Sequence, residues 1–553
     1  MDRREFLRTA AMTSTAVALS QSKLWPQAST ESRIEVLLNE PIATINPMVY
    51  GHFTEHLGGV IYDGVWVGEN SRVPNVRGVR TALVESLRSI KAPMVRWPGG
   101  CFADSYDWKD GVGPRDQRPR RTNFWVDAPE GRALASKAYQ YESNQFGTSE
   151  FVDFCHQSGA EPYIAANVRS LPALDFDHWV EYCNSPAGTT TLSDARARAG
   201  FRDPHNVKYW GVGNESWGCG GNFQPEEYAN EFRRYTTWLP DYGVGLRFIG
   251  SGPNGEDVDW STRFFDSLYS QQRRYVPPQF WGWSIHHYAE NLAMGKTQDW
   301  QQRKGDALRF DESEYFELLH EADRMEGIVN GHWNAIGAFD REHRVKLVVD
   351  EYGPWYKPGT EVGPSHLLGQ QITLRDAIVT ALTLDTFNRN AEKVGGAACA
   401  QLINNLNCLF LAVGDKFVRT PNYDVFRMYA AHQGATAVRA EFSSPQVTWQ
   451  RLGKPTNFWS LKGSASVNGK IAVVTVVNAD PHQARETAIA FRGGKPSNVK
   501  TIVLTDQDLH AHNTFEQPDR LRAKAGSSAA GNGAEVRFTF PPASVTQVTA
   551  EFA

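Results

Sequence analysis

A large excess of either charge is missing: 57 Lys and Arg against 62 Asp and Glu leave the 553 residues with a formal net charge of −5 and a pI near 6.3. That balance removes the electrostatic case for nucleic acid or an anionic membrane as a partner. Cysteine is scarce, and Cys101, Cys155, Cys183, Cys219, Cys399 and Cys408 show no CxxC spacing, so a structural zinc is not expected. No Gly-x-Ser-x-Gly elbow surrounds a serine, which removes one large class of hydrolases. There is no internal repeat and no low-complexity linker. The apolar stretch Thr9 to Ser20 is too short and too rich in Thr and Ser to be expected to span a bilayer as a permanent helix.

What is present begins with that stretch. Arg3-Arg4-Glu-Phe-Leu7 before it is a twin-arginine signature, so residues 1–29 read as an export signal with cleavage between Ser20 and Ser29. The expected destination is the periplasm or the exterior. Proteins exported by this route cross folded, so the six cysteines need not form bridges. The remainder, 41% hydrophobic and 22% charged, is long enough for one large domain and a smaller one. A basic knot from Arg115 to Arg121 is interrupted by Asp116 and two prolines and reads as a structured loop.

Between about residues 46 and 433, short apolar runs alternate with amphipathic helical patterns. The strands expected are Met48–Gly51, Pro93–Trp97, Glu161–Val168, Val207–Asn214, Leu246–Ser251, Phe280–His287, Arg344–Glu351 and Gly396–Ile403. Between them Val79, Leu83, Leu87 and Ile90 recur at helical spacing, as do Tyr228, Phe232 and Tyr235. Eight such units point to an α/β fold, a (β/α)8 TIM barrel. From 434 to 553 the pattern turns all-β, with Glu535–Phe540 alternating cleanly, and reads as an antiparallel β-sandwich. Residues 33–45 precede the barrel and are expected to complete that sandwich. The Gly/Ser/Ala-rich stretch Ala523–Ala534 reads as a flexible surface loop.

The informative pattern is where the polar residues fall. Barrels build their sites at the C-terminal strand ends. Glu55 and His56 follow the first expected strand, Arg96 lies in the second and Asn167 ends the third. Asn214 and Glu215 end the fourth, His286, His287 and Tyr288 the sixth, Glu351 the seventh and Gln401 the eighth. Glu215 and Glu351 each terminate an apolar run, where a carboxylate is costly unless it meets a polar cleft. Two carboxylates across a cleft are the equipment for breaking a glycosidic bond: one holds a proton for the leaving oxygen, the other attacks as an anion. Strand alternation places Asp350 on the face opposite Glu351.

These residues carry a resemblance. Gly211-Val-Gly-Asn-Glu215, Arg96-Trp-Pro-Gly-Gly-Cys-Phe102, Trp108–Pro119 and Asp350-Glu-Tyr352 resemble the retaining α-L-arabinofuranosidases of glycoside hydrolase family 51, in order and spacing over residues 33–553. The resemblance implies Glu215 as general acid/base and Glu351 as nucleophile. It further implies substrate contacts from Glu55, Arg96, Asn214, His286, Tyr288 and Gln401, with Trp355 and Trp125 as apolar walls. No metal and no cofactor are implied, and monomer and homo-oligomer both stay open. One departure stands out: Cys101 occupies a position where many members carry Asn. A thiol is a weak donor and poor acceptor, so a sugar contact there is expected to weaken.

His52-Phe-Thr-Glu-His56 matches an inverted zinc-peptidase motif, but it follows a strand and runs into Gly58-Gly59, whereas the motif requires a helix. Met294-Gly-Lys-Thr297 resembles half a phosphate loop, yet position 290 is Glu. The expected function is exo-hydrolysis of terminal α-L-arabinofuranosyl residues from arabinoxylan, arabinan or their oligosaccharides. An endo-β-1,4-glucanase of the same family is the nearer alternative. A catalytically silent carbohydrate-binding protein is the alternative of another class, and would be expected to lack one carboxylate.

Overall fold

The computed structural model describes residues 32–127, 141–270, 276–290, 304–363, 366–527 and 530–552. The export segment and the Met294–Thr297 motif lie outside these. No helix among the described residues is long and apolar enough to cross a membrane.

Strand β1 (Ser32–Thr44) comes first and leaves for the second domain. Eight strands then close a parallel barrel in chain order: β2 (Gly51–Phe53), β3 (Met94–Trp97), β4 (Glu161–Ala166), β5 (Tyr209–Val212), β6 (Arg247–Gly250), β7 (Phe280–Glu290), β8 (Lys346–Trp355) and β9 (Val394–Cys399). The first begins later than its apolar run suggests. Asn46 caps a 3-10 turn over Pro47–Tyr50, where proline suits the opening position, and the strand starts at Gly51. Inside the barrel Met94, Tyr163, Tyr209, Ile249 and Val348 form an apolar plug, leaving the polar strand ends to the mouth. Helices α1 (Thr81–Ile90), α2 (Thr148–Ser158), α3 (Ala173–Asn184), α4 (Pro225–Thr236) and α5 (Val258–Tyr269) contribute apolar faces to the surrounding core. The Arg115–Arg121 loop is neutralised locally: Arg115 pairs with Glu69 and Glu150, Arg118 with Glu150, and Arg121 with Asp110.

After the barrel, β10 (Thr436–Ser443), β11 (Leu461–Asn468), β12 (Ile471–Asn478), β13 (Arg485–Arg492), β14 (Pro496–Thr505), β15 (Glu535–Phe540) and β16 (Ser544–Phe552) join β1 in one sheet, in the order β14-β16-β12-β11-β10-β1-β13-β15. It wraps around its own core, with Ile34, Val36, Val474, Ile489, Phe538 and Val548 buried. The pairing is antiparallel except between β1 and β13, which run parallel. Lys524–Ala525 and Ala530–Asn532 extend the two ends of the sheet as short strands, correcting the expectation of a flexible loop across Ala523–Ala534. Helix α6 (Leu374–Arg389) lies between barrel and sheet and is buried almost throughout its length. Its Asp385 accepts from Ser464 Oγ and Thr475 Oγ1, both at 2.6 Å, and from Tyr429 OH at 2.8 Å.

Candidate active site

Arg96 on β3 is the hub. Its buried guanidinium donates from Nη1 to Glu351 Oε1 at 2.8 Å and from Nη2 to Asn214 Oδ1 at 2.5 Å, and its Nε lies 3.4 Å from Asp350 Oδ2. The Phe53 ring covers it at 4.7 Å. Glu351 Oε2 accepts a second donor, Tyr288 OH, at 2.8 Å. Burial, then the Glu351 charge, pushes the Tyr288 phenol far above its ordinary value, so it remains a donor.

Glu215 stands opposite. One oxygen of each glutamate and a His286 nitrogen all lie within 4.8 Å of one another. The turn reaching Glu215 is tight: Gly213 has φ +86° and Glu215 itself φ +40°, a left-handed backbone that a side-chain-bearing residue adopts at a cost of about 1–3 kcal/mol. His286 Nδ1 lies 2.9 Å from Glu215 Oε1 and 3.6 Å from Glu351 Oε2, while its Nε2 lies 3.2 Å from Asp350 Oδ1. Burial alone would lower its pKa. The Glu351 charge and the contacts with Asp350 and Glu215 overcome that and raise it to about 10, making it a cation that donates from both nitrogens.

Asp350 does not turn away from Glu351. Both acids meet Arg96 and His286, because β8 carries a bulge there. Val349 pairs with Ala397 and Tyr352 with Cys399, so Asp350 and Glu351 together oppose the single residue Ala398. The extra residue cancels the alternation. Asp350 also accepts from Tyr163 OH at 2.7 Å and from Ser284 Oγ. Burial would raise its pKa, but Arg96 and His286 hold it well below the usual carboxylate range.

Glu55 follows β2 in the same mouth. Gly100 N and Phe102 N donate to its Oε1 at 3.2 and 3.0 Å, and Gln401 Nε2 donates to its Oε2 at 2.9 Å. Burial and the Glu351 charge nevertheless push it up to about 8. The Gly-Gly turn is tight for a stated reason: a Cβ on Gly99 would meet Glu55 Cγ at 2.6 Å, and one on Gly100 would meet Glu351 Oε1 at 2.6 Å. Tyr288 and Trp355 stack edge-on at 5.0 Å and join Trp125 against the cluster of Phe53, Leu57, Leu367 and Leu406.

Cys101 requires a correction. It is not a thiol but half of a disulfide with Cys219. Cys101 follows β3 and Cys219 follows β5, so the bridge spans the end of β4. A disulfide carries no S–H, so the two sulfurs, at 3.7 and 3.4 Å from Glu215 Oε2, are apolar neighbours of the carboxyl rather than donors to it. Asp104 is a further residue that sequence reasoning missed. It accepts from Val168 N and Arg169 N at 2.7 and 3.1 Å, and from Asn214 N at 2.9 Å, tying together the ends of β3, β4 and β5. Its signal was positional: it lies three residues beyond Cys101 on the same rim.

Other strand-end residues serve the scaffold. Asn167 donates to Tyr106 O and Ser170 Oγ, and His287 meets Glu321 O at 2.9 Å. His56 sits between Glu142 and the Trp97 indole, whereas His52 packs on Phe426, so the two histidines of the zinc-like motif occupy separate surroundings.

Two family models match the chain: "Alpha-L-arabinofuranosidase 1 domain" over residues 86–304 and "Alpha-L-arabinofuranosidase C-terminal domain" over 350–544. An intracellular exo-α-L-arabinofuranosidase of Bacteroides ovatus is 34% identical over 98% of this chain and 99% of its own. Among solved structures, the GH51 arabinofuranosidase of Xanthomonas axonopodis pv. citri is 33% identical with a TM-score of 0.85, covering 94% of this chain and 100% of that one. The α-L-arabinofuranosidase of Thermotoga maritima in its arabinose complex is 28% identical with a TM-score of 0.78 and the same coverage.

Proposed function

Because the chain belongs to the α-L-arabinofuranosidases of glycoside hydrolase family 51, we propose that it is a retaining exo-hydrolase that removes terminal non-reducing α-L-arabinofuranosyl residues from arabinoxylan, arabinan or their oligosaccharides. Glu351 attacks the anomeric carbon as the glycosidic C–O bond breaks, and Glu215 gives its proton to the leaving oxygen. Glu215 then takes a proton from water, which displaces Glu351 with net retention.

The observation that carries this reading is the spacing and asymmetry of the pair. Their oxygens approach within 4.8 Å, against about 6.5–9.5 Å where a water must fit between carboxyls for inversion. Glu351 is held by a guanidinium and a phenol, donors suited to an anion that must attack. Glu215 keeps Oε2 against the disulfide, with no protein donor at hydrogen-bond distance among the described residues, leaving that oxygen for the proton it transfers. Glu55, Gln401 and Asn214 supply polar atoms for ring hydroxyls, and Tyr288, Trp355 and Trp125 an apolar wall. The twin-arginine motif supports export as the cellular setting, although the Bacteroides relative is described as intracellular.

The test pairs a panel of aryl glycosides with Glu351→Gly and azide. Selectivity for the aryl α-L-arabinofuranoside, with azide rescue giving a glycosyl azide of inverted configuration, is expected. Faster turnover of cello-oligosaccharides, or rescue in Glu215→Gly with that stereochemistry instead, would overturn the reading.

A further inference from the structure

We propose that opening the Cys101–Cys219 disulfide creates a binding site for one thiophilic divalent cation, such as Zn²⁺, whose three protein ligands are Cys101, Cys219 and Glu215. One donor atom from each residue lies within 4.8 Å of the other two, and all three residues are only partly buried. A tetrahedral zinc with thiolates at about 2.3 Å and a carboxylate oxygen at about 2.1 Å needs sulfur–oxygen edges of about 3.6 Å. The two edges present are 3.4 and 3.7 Å. Only the sulfurs must part, to about 3.8 Å.

The scaffold keeps them within reach once the bond is broken. Asp104, three residues beyond Cys101, holds Asn214 N at 2.9 Å, five residues before Cys219, and its other oxygen grips the turn after β4. Arg96 holds the Asn214 side chain to β3 at 2.5 Å. The two cysteine-bearing turns are therefore joined independently of the disulfide, and the dithiol stays preorganised. The chemistry balances: a dithiol reductant supplies two electrons and closes to its own disulfide, the S–S bond breaks, and two thiols form. Each gives its proton to solvent as the metal binds. The other four cysteines are buried, and burial pushes each of their thiols up, so they do not compete. Filling the site occupies Glu215 Oε2, the oxygen read as carrying the transferred proton. The expected loss of activity rests on the reading of Glu215 as acid/base, whereas the binding does not.

The test reduces the full-length enzyme with a water-soluble phosphine, which leaves as its oxide, and removes the excess without air. Co²⁺ and then Zn²⁺ are titrated into reduced and oxidised enzyme. One Co²⁺ per chain with a thiolate-to-cobalt charge-transfer band is expected in the reduced form alone, displaced by Zn²⁺. Affinity should fall at least tenfold in Glu215→Gln, and aryl-arabinofuranoside turnover at least tenfold with zinc, returning with EDTA. Absence of the band, or equal binding by Cys101→Ser/Cys219→Ser, would overturn the site. Should that double variant not fold, equal binding by oxidised and reduced wild type would do the same. Stoichiometric binding with undiminished turnover would uphold the site and overturn the role of Glu215.

Discussion

At the scale of single residues, the site is a problem of packing like charges together. Asp350, Glu351, Glu215 and Glu55 converge, and Arg96 with a protonated His286 offsets two of them. That arrangement has a pH signature. A histidine raised from its ordinary 6.5 to about 10 contributes stability that is fully present below pH 6.5 and lost as pH rises through 10. Glu55, raised to about 8, acts in the same direction at lower pH. The melting temperature of the wild type is therefore expected to decline from pH 7 to 10, and that of His286→Gln to decline less steeply. Parallel declines would sink the charge assignment. The Tyr288 hydroxyl is a second residue-scale test. A hydrogen bond to a charged group contributes about 1.5–3 kcal/mol. Tyr288→Phe should therefore lower kcat/KM by roughly 10- to 100-fold while leaving the melting temperature within a few degrees, and an unchanged kcat/KM would refute the contact.

At the scale of elements, the strand ends were legible in sequence because a buried parallel strand is an apolar run and its first polar residue marks the mouth. Glu215, Glu351 and Gln401 were read at or near such ends and Arg96 within its strand, while the pocket roles of Arg96 and Gln401 came from the family resemblance. The direction of Asp350 was not, because alternation holds only while the pairing is regular, and a bulge is set by neighbouring strands rather than by the residues that form it. The pairing of Cys101 with Cys219 was hidden for a related reason. The two are 118 residues apart and meet only because β3 and β5 flank the same strand. The Gly-Gly turn after β3 tests how much the mouth depends on such turns. A methyl on Gly100 has no room beside Glu351 Oε1, so either the carboxylate or the turn must shift. Misplacement by about 1 Å costs roughly 10²-fold in rate, so Gly100→Ala should lose about that much kcat with normal far-UV circular dichroism. Near-wild-type turnover would show that the turn yields instead of the carboxylate.

At the scale of the whole molecule, the barrel carries the chemistry, and the sheet secures the outer side of α6. The hydroxyls of Ser464, Thr475 and Tyr429 all point to Asp385 on that helix. Its carboxyl is pushed up to about 6 by burial against those three donors. The sheet in turn depends on a strand from the far end of the chain. β1 lies between β10 and β13, and its Ile34 and Val36 are fully buried. Each such side chain contributes about 1.5–3 kcal/mol on burial, but the larger loss on removing the strand is topological. Two interior strands would become edges with unpaired backbone groups, an invitation to aggregation. A chain beginning at Thr30 should therefore unfold in one cooperative transition. A chain beginning at Pro47 should be insoluble or melt at least 10 °C lower, with arabinofuranosidase activity lost in proportion to the folded fraction, although every residue of the mouth is still present. Equal melting temperatures and activities for the two would mean that the barrel stands alone and that the sheet is an appendage.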